Sequence, residues 1–129
     1  MTRDELLASA RALSPFRTGA ADDYAACRDA MVVGVDRLLL ARPDLDDLIG
    51  PDNRALMQDN HRHHAEFIEA LLRRYDPEVL TDSVLWVFRT YRARGFQPSY
   101  WPVEFAAWMT VADHSLAPTT STTLTPLYR

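Results

Sequence analysis

The chain has 129 residues, 47% of them hydrophobic and 25% charged, which is the balance of an ordinary globular domain rather than a disordered segment. Its net charge is −4, and its 14 basic residues, all arginine, are interleaved with aspartate, so the composition argues against a basic surface for nucleic acid. The single cysteine, Cys27, excludes an intramolecular disulfide and a zinc site built from several cysteines. We therefore expect one domain, residues 1–129, with its own hydrophobic core.

The first predicted helix begins at residue 3, because Thr2 and Glu5 have the spacing of a capping box, and it ends before Ser14-Pro15. This charged, amphipathic start lacks the apolar run of a signal peptide. No stretch of the sequence approaches 18 continuous apolar residues. The expected location is therefore the cytoplasm, without contact with a membrane.

A second helix is predicted from about Asp22 to just before Pro43, and its two sides differ in character. One face is apolar at helical spacing and contains Cys27 as a buried thiol: Tyr24, Cys27, Met31, Val35 and Leu38. The opposite side is partly apolar and must be covered by the first helix or by a second copy of the chain: Ala26, Ala30, Val33 and Leu40.

The remaining sequence predicts further helices and no strand. They are a short turn of helix at 44–49, a longest helix at 52–75, a helix from Pro77 to Arg94, a helix from Tyr100 to about Leu116 capped by Ser99, and a short helix at about 121–128. Val84 to Phe88 is apolar on all sides, which predicts that this helix is central and buried. The expected fold is an all-α, single-domain bundle of about five to six helices.

The 52–75 helix carries polar side chains within its apolar stripe. On a wheel of about 100° per residue, Asn60 and His64 fall inside this stripe and His61 falls at its margin. Buried amide and imidazole groups need hydrogen-bond partners. Glu104, which shares the inner face of the last helix with Trp101 and Trp108, must itself be paired or protonated. We hypothesise a His64–Glu104 contact, whose protonation would make the bundle responsive to pH.

This polar cluster has two main interpretations, a structural hydrogen-bond network and a ligand pocket. In the pocket, the polar members are Asn60, His61, His64 and Glu104, and the walls are Trp86, Trp101 and Trp108. The His-x-x-x-His, His-x-x-x-Glu and Glu-x-x-His spacings of di-iron bundles are absent, so no metal site is predicted. The sequence also has no nucleophile motif or phosphate-binding loop, and no enzymatic activity is expected.

Several stretches together resemble the helical, globin-like sensory domains, which include the non-haem globin modules of stressosome sensors and the helical modules beside cobalamin-binding domains. The resemblance rests on Asp59-Asn60-His61-Arg62-His63-His64, on Asp76-Pro77-Glu78, on the run from Val84 to Phe96 that contains Arg94-Gly95-Phe96, and on Tyr100, Trp101 and Trp108. It implies a regulatory domain of about five helices, often dimeric and without enzymatic activity.

The leading functional expectation is a sensory or regulatory domain that binds a small ligand or a partner protein. A first alternative is a homo-oligomeric interaction module without a ligand, in which the partly apolar back of the second helix and the short tail with Leu124, Leu127 and Tyr128 form the interface. A second alternative is a relative of the globins that binds haem or another tetrapyrrole, with His64 as the axial ligand. Apart from that alternative, no cofactor is expected.

Overall fold

The computed structural model describes residues 2–13 and 19–116, and within these ranges the chain is all-α, as the sequence predicts. The helices, in chain order, are α1 Arg3–Arg11, α2 Ala20–Leu40, α3 Leu45–Ile49, α4 Arg54–Arg73, α5 Pro77–Ala93 and α6 Tyr100–Ser115. The predicted helix at about 121–128 lies outside the described residues. None of the helices in the described ranges has the length and apolar character needed to cross a membrane.

Local capping chemistry sets several of these boundaries. The Thr2 hydroxyl accepts a hydrogen bond from the backbone N–H of Glu5, and the Asp76 carboxylate accepts from the N–H groups of Glu78 and Val79. Gly95 follows the end of α5 with φ of 108°, in the left-handed region. These three predicted boundaries are confirmed. Ser99 occupies the N-cap position of α6, but its side chain makes no capping hydrogen bond.

Helices α2, α4 and α6 form the main body of the fold, which we call the three-helix body. Helix α2 packs against both α4 and α6, with Gly34 facing Val111 so closely that a Cβ on Gly34 would lie 3.3 Å from two Val111 methyl groups. The core of this body consists of buried apolar side chains from all three helices: Tyr24, Met31, Val35, Leu39, Met57, Ile68, Leu72, Trp108, Val111 and Ala112. At 21 residues, α2 is also the longest helix by one residue, contrary to the prediction for α4.

Helices α1 and α5 pack side by side and form the second unit, the α1/α5 pair. Exposed ion pairs join them, with Arg3 Nε 2.8 Å from Asp82 Oδ1 and Arg11 Nη2 3.4 Å from Glu78 Oε1. Tyr75 follows the end of α4, and its hydroxyl donates a hydrogen bond to the carbonyl of Ala10 at 2.6 Å. This contact connects the pair to the rest of the chain.

Helix α5 is peripheral, so the prediction that it is central and buried is wrong. Its fully buried residues are only Thr81 and Tyr91, and the Trp86 side chain is 55% exposed. The run from Val84 to Phe88 is apolar for a different reason, since most of it lines a cavity that separates α5 from α4 and α6.

The carboxyl end of α5 is held to the start of α4 by the Asn53 side chain and by the close approach of Gly50 to Gly95, which together we call the clasp. The Asn53 side-chain amide donates hydrogen bonds to the carbonyls of Ile49 (2.7 Å) and Arg94 (2.8 Å). Gly50 has φ of 85°, and a Cβ placed there would lie 3.2 Å from the Gly95 carbonyl oxygen, so glycine permits this close approach. The clasp therefore fixes one end of α5.

The outer face of α2 stays exposed within the described chain. Val33 is 55% exposed and Leu38 is 43% exposed, so Leu38 does not lie on the buried face where its spacing placed it. Leu39 takes that position instead, with 1% exposure. Cys27 is only partly buried, and its thiol donates to the Ser115 carbonyl at 3.3 Å.

Candidate ligand cavity

A cavity of about 640 Å³ lies between α4, α5 and α6. Its volume is within the range of about 300–1,000 Å³ that is typical of sites for small molecules. Most of its wall is aliphatic or aromatic: Leu56, Phe67, Ile68, Leu80, Val84, Val87, Phe88, Trp101 and Phe105. The arrangement arises because the backbone of α5 lies against α1 rather than against the three-helix body. The inner side chains of α5 reach that body mainly near its carboxyl half, where Phe88 and Tyr91 contact Trp101.

Polar and charged side chains complete the lining: Asn60, His63, His64, Asp82, Ser83, Thr90, Tyr91, Arg94 and Glu104. Among them, Asn60 and Glu104, from two other helices, both act on Tyr91. A hydrogen bond from Asn60 favours the ionised form of Tyr91 and partly offsets the burial that raises the pKa of this phenol. The negative charge that Glu104 can carry raises the same pKa further. Asn60 is 5% exposed, and its Oδ1 has no hydrogen-bond partner among the described residues. An unpaired buried acceptor of this kind costs about 1–3 kcal/mol.

Glu104 is a buried carboxyl group in a predominantly apolar setting. It is 1% exposed, and Trp108 Nε1 donates a hydrogen bond to its Oε1 at 3.4 Å. Burial raises the pKa of Glu104 to about 8, with the Trp108 hydrogen bond acting in the opposite direction. The carboxyl group therefore carries a proton at neutral pH, so the sequence-based expectation that it is paired or protonated is satisfied mainly by protonation.

His61 connects Glu104 to a hydrogen-bonded network behind the cavity. Its Nδ1 lies 2.5 Å from Asp36 Oδ1 and its Nε2 lies 3.0 Å from the Tyr100 hydroxyl. With Asp36 ionised, Nδ1 is the donor and the Tyr100 hydroxyl donates to Nε2. Burial lowers the pKa of His61, whereas Asp36 opposes this effect. The ring is 0% exposed, so it supports the wall of the cavity from behind.

The predicted His64–Glu104 contact is replaced by a contact of His61. The imidazole nitrogen within 4 Å of the carboxyl group is His61 Nε2, which lies 3.9 Å from Glu104 Oε1. The His64 ring instead lies against Trp108, with centroids 4.7 Å apart. The wheel placed His61 only at the margin because it could not show that α2 packs on that side of α4.

His64 lines the cavity and is neutral at physiological pH. Burial, reinforced by the positive charge that His61 can carry, lowers the pKa of His64 to about 3. Its protonation therefore cannot provide the pH response that was expected near neutrality. The neighbouring carboxyl group, Glu104, titrates much closer to that range.

The structure divides the sequence-predicted site residues into two layers. Those that line the cavity are Asn60, His64, Trp86, Trp101 and Glu104. His61 and Trp108 form the layer behind, where they contact cavity residues. The sequence did not predict the polar roles of Asp36, Tyr91 and Tyr100. Helical spacing held a signal for two of them, since Asp36 lies between buried Val32 and Leu39 and Tyr100 precedes Glu104 by four residues.

Among residues 2–13 and 19–116, no group of three or more histidine, cysteine or carboxylate side chains has the geometry of a metal site. Comparisons with protein-family models, with curated proteins and with solved structures find no match for this chain.

Proposed function

We propose that this chain is a non-enzymatic sensory or regulatory domain that binds a small, largely apolar ligand between α4, α5 and α6. The observation that carries the proposal is the cavity of about 640 Å³, with apolar walls and a few converging polar groups. The His61–Asp36 pair does not support catalysis, because His61 is 0% exposed and out of reach of a substrate. The globin-like resemblance remains a prediction and agrees with a sensory role.

Ligand binding would be communicated through the spacing between the two units of the fold. A ligand in the cavity touches the three-helix body on one side and α5 on the other. It therefore stabilises the separation of α5 from α4 and α6 that best fits its own size. Because the clasp holds the carboxyl end of α5, the adjustment falls mainly on the amino end, where α5 meets α1.

A neutral fluorescent probe, N-phenyl-1-naphthylamine, tests whether the cavity binds small apolar molecules. We expect saturable fluorescence enhancement with the natural chain, and at least tenfold weaker binding with the double variant Val84→Phe/Val87→Phe, whose added rings occupy the cavity. The matched control is Val33→Phe/Val79→Phe, which adds the same volume at positions that are 55% and 48% exposed. Equal binding by both double variants, or no binding by the natural chain, would contradict the proposal.

Haem or another tetrapyrrole is a second candidate ligand, supported by His64. This histidine lines the cavity and stays neutral, as an axial ligand must be, and Trp101 and Phe88 offer flat surfaces nearby. Haem added to the purified protein would then give a Soret band that is lost in His64→Leu. A spectrum identical to that of free haem would eliminate this candidate.

Homo-oligomerisation is supported by the apolar side chains exposed on α2. Val33 and Leu38 are 55% and 43% exposed, although they point in different directions around this helix. If they form a dimer interface, analytical ultracentrifugation at micromolar concentration will show a dimer that Val33→Glu converts to a monomer. A natural chain that sediments as a monomer would exclude this interface.

A further inference from the structure

We propose that the ligand of this cavity is an amphipathic amine, whose amino group binds between Asn60 and Glu104 while its apolar part lies along the aromatic walls. This inference rests on the proposed function, because it names the chemical class that the same cavity accepts. Two features carry it, the surplus of oxygen acceptors at the polar end of the cavity and the ring of aromatic side chains beside them.

Asn60 supplies the first acceptor. Its Oδ1 is buried without a partner, whereas its amide N–H already serves Tyr91. A carbonyl oxygen can only accept hydrogen bonds, so a ligand with an N–H group would remove the energetic cost of leaving Asn60 Oδ1 unpaired. Asn60 lines the cavity, and the χ2 torsion of asparagine has a broad energy well, so its amide can turn towards a ligand at low cost.

Glu104 supplies the second acceptor and, once it has released its proton, a negative charge. Its Oε1 accepts one hydrogen bond, from Trp108, and the nearest imidazole nitrogen is 3.9 Å away. A carboxylate ligand would bring only acceptors to Asn60 Oδ1, which needs a donor. An alcohol offers a single donor, whereas an ammonium group offers three and the opposite charge.

The aromatic side chains next to these acceptors favour a cation further. The Trp101 ring lies 5.1 Å from the Phe88 ring and 5.9 Å from the Tyr91 ring, measured between centroids. All three residues line the cavity. The faces of such rings attract ammonium groups, and their apolar surface suits the carbon skeleton of the same ligand.

Binding of an ammonium ion involves one proton. The protonated Glu104 carboxyl group releases its proton to solvent, and the resulting carboxylate pairs with the bound ammonium ion, so charge and atoms balance. Burial holds the pKa of Glu104 at about 8 in the ligand-free chain, and the affinity for an amine should therefore rise with pH up to that value.

The other titratable groups around Glu104 come from every helix packed on it. They are Asp36 on α2, His61 and His64 on α4, Tyr91 on α5 and Tyr100 on α6. The pKa values of His61 and His64 are lowered and those of both tyrosines are raised, so these four groups stay neutral between pH 7 and 8. His63, Asp82 and Arg94 also line the cavity, so the loss of the pH dependence in Glu104→Gln is what assigns it to Glu104.

Three ligands of similar shape, 2-phenylethylamine, 2-phenylethanol and 3-phenylpropionate, test the inference by isothermal titration calorimetry at pH 6, 7 and 8. We expect the amine to bind most tightly and the carboxylate most weakly. The amine's affinity should rise by up to about tenfold per pH unit, which is the limit for release of one proton, and the alcohol's should stay constant. In Glu104→Gln, the pH dependence should disappear and the amine should lose at least tenfold in affinity.

The outcomes separate this inference from the proposed function. If N-phenyl-1-naphthylamine binds but the amine binds no more tightly than the alcohol, the amine preference is wrong and the cavity still binds apolar ligands. If neither the probe nor any of the three compounds binds, the proposed function itself fails. Thermal melting by circular dichroism establishes that Glu104→Gln is folded, and Asn60→Leu, which removes the other acceptor, provides an independent variant with the same expected loss for the amine.

Discussion

The two walls of the cavity are built in different ways. The three-helix body buries Trp108 and Met31 almost completely and encloses the Asp36–His61–Tyr100 network. The α1/α5 pair relies on exposed ion pairs, the clasp and a few buried side chains, and it leaves Trp86 more than half exposed. The three-helix body thus forms a well-packed wall that holds the polar groups, and the α1/α5 pair forms a less tightly packed wall that supplies apolar surface. This difference suits a domain in which a ligand sets the distance between α5 and the three-helix body. The following predictions test this contrast.

The largest expected difference is between two tryptophans. Trp108→Ala should lower the free energy of unfolding by about 3–5 kcal/mol, because it empties the centre of the three-helix body and removes the donor to Glu104. Trp86→Ala should cost less than about 1 kcal/mol, since that side chain is 55% exposed on α5. Urea denaturation followed by circular dichroism measures both, and similar losses would contradict the distinction between the two walls.

Glu104 should make the stability depend on pH. Its pKa is about 8 in the folded chain and lies near 4.5 in the unfolded chain, so between these values only the folded state holds the proton. The contribution of Glu104 to the free energy of unfolding is therefore largest below about pH 4.5. It falls by up to about 1.4 kcal/mol per pH unit as the pH rises towards 8.

Glu104→Gln should remove this slope, so the variant should gain stability relative to the natural chain as pH rises. Denaturation curves between pH 5 and 8 provide the measurement. Asp59→Asn, at a surface position on α4, is a suitable control and should leave the slope intact. A parallel pH dependence in the natural chain and in Glu104→Gln would show that Glu104 ionises normally.

Added volume should have opposite consequences in the two walls. Gly34→Val places methyl groups against Val111, where even a Cβ would lie 3.3 Å from two carbon atoms, and should cost about 1–3 kcal/mol. Val87→Phe enlarges a side chain that already faces the cavity and should change stability by less than about 1 kcal/mol. Melting temperatures rank the two variants, and the reverse order would argue against an empty space beside α5.

The smallest expected effect concerns the ion pair between Arg3 and Asp82, which is exposed on both sides. Arg3→Ala should leave the global stability unchanged within the error of a denaturation curve, because solvent screens such pairs. Hydrogen exchange should nevertheless become faster at backbone amides in the first turns of α5, with no change in α4. If Arg3→Ala leaves the exchange rates of both helices unchanged, the ion pair has no local role.

The sequence predicted the helices well because their boundaries depend on local chemistry. Thr2, the Asp76-Pro77 pair and Gly95 each act on the backbone within four residues, and such effects can be recognised without a structure. The burial of Glu104 was also predictable, since its position on the helical wheel places it among aromatic side chains.

Features that depend on how helices are arranged could not be predicted. The wheel gave a correct inward face of α4 but could not decide which neighbour each side meets, and so it exchanged the roles of His61 and His64. It also could not distinguish an apolar helix in the core from one that borders a cavity, which is why α5 was expected at the centre. Both errors concern distances between helices, which are absent from a one-dimensional pattern.

The clasp gives α5 the mechanical properties of a lever. Its 17 residues correspond to a rod about 25 Å long at about 1.5 Å per residue. The Asn53 amide and the Gly50–Gly95 approach fix α5 at its carboxyl end. The ion pairs to Arg3 and Arg11 join its amino-terminal half to α1. A rotation of about 5° around this fulcrum would move the far end by about 2 Å, as follows from that length. A fraction of an ångström gained near the fulcrum, where Tyr91 meets Asn60, would thus become a displacement several times larger at α1.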